Sequence, residues 1–190
     1  TITILTPVDS DEYLTGEDIM NITWTSSDIN DNLIIKLVDT DNNEVANISN
    51  WAANDGQFDW PVPLSVAEGF YKVKIFEYST ENGLTYSDEF QLITPDYPLI
   101  DITEPVANIT RNPGDLLRIR WTSIMIDDDV VIELYDSSNN YISTIDAETN
   151  NDGFYPWHIP STQATGTYRI KMYEINTQDG LSYSADFIIE

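Results

Sequence analysis

The chain states one pattern twice. Asp18–Phe90 aligns with Asp115–Phe187 without a gap, at a constant spacing of 97 residues. Ile22-Thr23-Trp24-Thr25-Ser26 returns as Ile119-Arg120-Trp121-Thr122-Ser123, and Asn54-Asp55-Gly56 returns as Asn151-Asp152-Gly153. Trp60-Pro61-Val62-Pro63 returns as Trp157-His158-Ile159-Pro160, and Gly69-Phe70-Tyr71 as Gly166-Thr167-Tyr168. Upstream, Ile2–Pro7 matches Ile100–Pro105 at a spacing of 98, so one residue is missing from the second copy. A repeat of this length is a domain, because solenoid turns have periods of about 20–50 residues. The 190 residues therefore divide into a first repeat over 1–94, a short linker over 95–99 and a second repeat over 100–190. The linker holds Pro95 and Pro98 with no Gly/Ser run, which predicts a semi-rigid connection.

Within each repeat the apolar residues alternate rather than recur with a helical period. Met20, Ile22 and Trp24 alternate with Ile19, Asn21 and Thr23; Leu117, Ile119 and Trp121 alternate with Leu116, Arg118 and Arg120. Leu33, Ile35 and Leu37 correspond to Val130, Ile132 and Leu134, and Tyr71, Val73 and Ile75 to Tyr168, Ile170 and Met172. Period-two patterning buries one face of a strand and wets the other. Turn chemistry separates the strands at Asp39–Asn43, Asn54–Gly56, Glu81–Gly83 and their copies. Short strands at this spacing predict an all-β chain of two tandem immunoglobulin-like β-sandwiches. Trp24, Trp60, Trp121 and Trp157 recur in register and are expected in the two cores, and Tyr71 and Tyr168 as tyrosine corners.

Charge and composition exclude several function classes. Eight Lys and Arg against 33 Asp and Glu give a net charge of -25, which repels nucleic acid and anionic lipid. A hydrophobic content of 41% separates the chain from disordered acidic tails. Cysteine is absent, so neither disulfides nor thiol chemistry are available. No apolar run approaches the roughly 20 residues of a membrane-spanning helix, so no direct membrane insertion is expected in this segment. The chain opens on Thr1 and reads as a processed protein or an excised fragment.

Catalysis has little to stand on. His158 is the only histidine and has no counterpart in the first copy, and no Gly-x-Ser-x-Gly elbow, phosphate loop or zinc spacing is present. No catalytic residue and no cofactor is expected. Calcium is a candidate ligand, for which Asp39, Asp41 and Glu44, the Asp127–Asp129 run, and Asp96, Asp101 and Glu104 offer hard oxygens. None of these follows the spaced D-x-D-x-D-G loop. Trp51 lacks a counterpart, Glu148 standing in its place, and is a candidate for stacking on a sugar ring. Asn21, Asn47 and Asn108 begin Asn-x-Ser/Thr sequons and are candidates for N-glycosylation.

The order of motifs in each copy is Ile-x-x-Pro, an Ile-x-Trp-x-Ser strand, Asn-x-Gly, Trp-x-x-Pro, Gly-x-Tyr-x-Val/Ile and Ser-x-x-Phe. In the second copy these are carried by Pro105, Gly114, Ile119, Trp121, Ser123, Gly153, Trp157, Pro160, Gly166, Tyr168, Ile170, Ser184 and Phe187. This order resembles the Kre9/Knh1-like domain, also called the Ser-Thr-rich cell-wall-anchored membrane family. The resemblance implies an extracellular immunoglobulin-like module without catalytic residues, associated in fungi with cell-wall glucan assembly and found in many microbial surface proteins. The combined expectation is a non-enzymatic structural module of a cell-surface protein, filament or adhesin. Its expected partners are copies of itself or neighbouring surface domains, joined head to tail through strand pairing. The alternative expectation is a carbohydrate-binding accessory domain pair, with glycans as partners.

Overall fold

The computed structural model describes residues 1–190, contains no helix, and divides into two compact units, Thr1–Thr94 and Pro95–Glu190. The first unit is built from β1 (Ile2–Thr6), β2 (Glu12–Leu14), β3 (Ile19–Ser26), β4 (Leu33–Asp39), β5 (Glu44–Ala52), β6 (Gln57–Pro61), β7 (Gly69–Glu77), β8 (Thr85–Tyr86) and β9 (Phe90–Ile93). The second is built from β10 (Leu99–Glu104), β11 (Thr110–Arg111), β12 (Leu116–Ile124), β13 (Val130–Asp136), β14 (Tyr141–Thr149), β15 (Phe154–His158), β16 (Gly166–Glu174), β17 (Ser182–Tyr183) and β18 (Phe187–Ile189).

Each unit packs a three-stranded sheet against a larger one. The small sheets run β1-β3-β6 and β10-β12-β15; the large ones run β2-β9-β7-β4-β5 and β11-β18-β16-β13-β14. β8 and β17 add to β7 and β16. The β2–β9 and β11–β18 pairs are parallel and the others antiparallel. The same topology arises twice, as a duplicated pattern requires, and it is the expected immunoglobulin-like sandwich.

Alternation places the core where the sequence puts it. Met20, Ile22 and Trp24 are buried while Ile19 and Asn21 are exposed, and Leu117, Ile119 and Trp121 repeat this against Leu116, Arg118 and Arg120. Trp60 and Trp157 are buried in the same cores. Phe90 and Phe187 are among the largest fully buried side chains. Val38, Phe76 and Val131 break the alternation, being buried although their parity places them on the outer face. On that face the Lys74 ammonium lies 5.2 Å from the Phe76 ring centroid, so a lysine stem helps to cover the apolar surface.

The sheet edges are blunted. β5 and β14 each pair with their neighbour through three register shifts. β1 and β10 each carry one shift and lead into Pro7 and Pro105, β6 ends at Pro61, and β15 contains Pro156. β2 and β11 are three and two residues long. Bulges, prolines and short strands are the devices that keep an edge from pairing with another chain. These edges run against the expectation of strand pairing between copies.

Candidate functional site

The residues shared by the two copies form internal ties rather than a cleft. The Trp24 indole Nε1–H donates to Asn54 Oδ1 at 3.0 Å, the Ser26 hydroxyl donates to the same oxygen at 3.0 Å, and Asn54 Nδ2 donates to the Ile29 carbonyl at 3.3 Å. In the second unit Trp121 Nε1 donates to Asn151 Oδ1 at 2.8 Å, and Asn151 Nδ2 donates to the Ile126 carbonyl at 3.1 Å. Ser123 Oγ lies 3.0 Å from Asn151 Nδ2. Two residues on, Gly153 adopts φ +83°, and a Cβ there would stand 3.0 Å from the Trp121 carbonyl oxygen. The Trp-x-Ser and Asn-x-Gly motifs are thus two halves of one clip. It satisfies a buried indole N–H and fixes the loop after the tryptophan strand.

A second tie is the tyrosine corner. Tyr71 Oη donates to the Ala67 carbonyl and Tyr168 Oη to the Ala164 carbonyl, each at 2.9 Å, as the glycine-tyrosine spacing predicts. A third tie is invisible to the sequence reading. Glu77 and Glu174 end β7 and β16 on the core-facing parity, and each is only 6% exposed. Glu77 accepts from the Thr80 hydroxyl and from the Asn30 backbone N–H at 3.1 Å. Glu174 accepts from the Thr177 hydroxyl and from the backbone N–H groups of Asp127 and Asp128, both at 3.1 Å. The threonine hydroxyl first, and the backbone donors after it, hold both carboxyls below the ordinary glutamate value. The signal was present as Glu-x-x-Thr in both copies, but Glu12-x-x-Thr15 has the same spacing, and spacing alone does not show which glutamate is buried.

Four of the acidic residues named as calcium candidates, Asp39, Glu44, Glu104 and Asp128, have partners within the chain. Asp39 accepts from the backbone N–H groups of Asp41 and Asn43 and from Asn43 Nδ2 at 2.8–3.0 Å, and Asp136 repeats this with Ser138 and Asn140. These are Asx turns, and the amide donors of Asn43 and Asn140 lower both carboxyls. Glu44 lies 3.2 Å from Lys74 and 3.7 Å from Lys36, Glu104 pairs with Arg120 at 3.6 Å, and Asp128 accepts from Asn176 Nδ2 at 2.7 Å. Nowhere do three or more acidic or histidine side chains gather to hold a metal ion.

The remaining candidates are on the surface. His158 is exposed on β15. Trp51 is 61% exposed and meets Tyr78, itself exposed, edge to face with ring centroids 4.7 Å apart. The second unit has Glu148 and Ile175 at the matching positions, so this aromatic pair belongs to the first unit alone. Asn47 and Asn108 are exposed, Asn108 in a turn with φ +60°. Asn21 is exposed too, but its Nδ2 donates to Asp59 at 2.7 Å.

No curated protein matches the sequence. Among solved structures, the fibronectin(III)-like modules of Clostridium thermocellum CbhA are 15% identical with a TM-score of 0.33, covering 100% of this chain and 93% of theirs. The BSP domain of a biofilm associated protein is 15% identical at a TM-score of 0.34, covering 95% of this chain and 28% of that one. Sidekick-1 immunoglobulin domains 1–4 are 9% identical at 0.40, covering 100% and 51%. The Kre9/KNH-like N-terminal Ig-like domain matches residues 6–92. The first repeat is thus similar to the Kre9/KNH-like N-terminal Ig-like domain over residues 6–92, and the second carries the same motifs in the same order.

Proposed function

We propose that the chain is a non-enzymatic structural module of a microbial cell-surface protein, lying outside the cell. One observation carries this reading. Every motif that the two copies share is consumed inside its own domain, in the indole clip, the tyrosine corner and the buried glutamate, and none converges on a cleft. Duplication of such a unit adds length and surface, not chemistry. The family match supports a surface module, and the blunted edges disfavour a filament built by strand addition. All four lysines lie on the outer faces of the large sheets, which makes the location testable. A membrane-impermeant amine reagent is expected to label the protein on intact producing cells. Labelling only after lysis contradicts the proposal.

The exposed Trp51–Tyr78 pair favours a second reading, sugar binding by the first unit. Aromatic faces at the surface with a polar surround suit a pyranose ring. Saturable binding on a glycan array, lost in Trp51→Ala with the fold intact, is the expected result under this reading. A blank array sets it aside.

A further inference from the structure

The two units also differ at the short parallel edge strand of the large sheet, β2 in the first and β11 in the second. In the second unit a cleft of about 310 Å³ opens between β10, β11 and the start of β12, lined by Pro105, Val106, Ile109 and Leu116 with Arg111 and Arg118 at its margin. Val106 is 55% exposed and Leu116 43%, so apolar surface faces solvent here. The register identifies what the first unit places at the corresponding point. Tyr13 pairs with Leu92 as Arg111 pairs with Ile189, and Leu92 and Ile189 are equivalent residues. The Tyr13 ring packs onto the first core, edge-on to Phe90 at 5.9 Å between centroids, and burial with the neighbouring Asp11 raises its phenol to about 12. Arg111 instead turns its guanidinium to the Thr110 carbonyl at 2.8 Å. With arginine in place of the ring, Ile109 packs against the second core and the cleft opens beside it, with Arg111 in its wall.

Charge narrows what can fill it. The Glu104 carboxylate at the margin is already paired with Arg120. Arg118 alone among the Lys and Arg residues has neither a hydrogen bond nor an ion pair, in a chain with a net charge of -25. An unpaired guanidinium beside apolar surface complements a carboxylate carried on an apolar body, because the charge-assisted fork bond and ring burial then act together. We propose that this cleft binds a small free aryl carboxylate, a phenyl-sized ring one or two bonds from its acid group, with the ring seated where the first unit seats Tyr13 and the acid on Arg118.

The test uses the full chain, labelled with nitrogen-15, and 4-hydroxyphenylacetate as the probe. Saturable amide shifts are expected at Val106, Ile109, Arg111, Leu116 and Arg118, with the first unit unmoved. The neutral 4-methylphenol is expected to bind about tenfold more weakly, and tyramine, which reverses the charge, to give no saturable shift. Arg118→Gln should cost the acid about tenfold while leaving 4-methylphenol unchanged. Arg111→Tyr should refill the space from within and abolish binding of both, with the Trp121 indole signal reporting an intact clip. The proposal is overturned by no saturable binding of the acid, by equal binding of the acid and 4-methylphenol, or by indifference to Arg118→Gln. It is equally overturned if a peptide such as acetyl-Tyr-Glu-amide binds where the free acid does not, since the occupant is then a polypeptide.

Discussion

Replacing Asn151 with alanine should destabilise the second domain by about 2–4 kcal/mol, while leaving the first untouched. The substitution strands the buried Trp121 indole N–H, removes the partner of Ser123 Oγ and leaves the Ile126 carbonyl without its side-chain donor. An unsatisfied buried polar group costs roughly 1–3 kcal/mol, and the Trp121 indole N–H and the Ile126 carbonyl lose their side-chain partner at once. Against a domain stability of about 5–15 kcal/mol this is a large fraction. Urea unfolding followed by tryptophan fluorescence checks it, since each domain carries its own clip. The expected record is a transition midpoint lowered for one domain only. Asn54→Ala should do the same to the other, and the two effects should add because the sites share no partner. An Asn151→Ala protein that unfolds like the parent means that the clip contributes nothing and that the motif recurs for another reason.

Acid should expose the second tie. Glu77 and Glu174 have folded pKa values below the ordinary 4.5, held there first by the Thr80 and Thr177 hydroxyls. The sign follows from proton linkage. A carboxyl whose pKa is depressed by folding adds stability above its unfolded value, and that stability is lost as the pH falls through the folded one. Both domains should therefore keep their melting temperatures from neutrality down to about pH 4.5 and lose them below it. Asp39 and Asp136, lowered by the amide donors of their own turns, lose stability in the same range, so the variant comparison is decisive. Glu174→Gln keeps an acceptor for the Asp127 and Asp128 backbone donors and should flatten the acid limb of the second domain. Glu174→Ala leaves those donors without their acceptor and should lower the melting temperature at every pH. Parallel acid limbs in the parent and Glu174→Gln would show that another group governs the loss.

The fold was legible because its causes are local. Alternation in Met20–Trp24 and Leu117–Trp121 sets which face is buried, and a gapless repeat checks every assignment against a second copy. Ties made by partners far apart in sequence were not legible in the same way. Trp24 and Asn54 are each visible as recurring residues, yet nothing in the string says that they touch across 30 positions. Glu77 was hidden for a different reason. A carboxylate on the buried parity of a strand contradicts the pattern, and only the loop donors that meet it in space explain its place. Asp39 is legible as a source of hard oxygens, yet nothing in the string says that they accept from its own turn, at Asp41 and Asn43. The cleft at Arg118 depends on one missing side chain, Tyr13 giving way to Arg111. The single-residue difference in spacing between the repeats hides that correspondence until strand register restores it.

The chain consists of two compact units whose shared residues serve packing. Stretching the full chain end to end in single-molecule force spectroscopy tests it most directly. Two separate unfolding events are expected, each releasing about 30 nm, from roughly 95 residues at 3.3–3.6 Å apiece. Asn151→Ala should weaken one event and spare the other. A single event releasing the whole length, or extension without resistance, would contradict it.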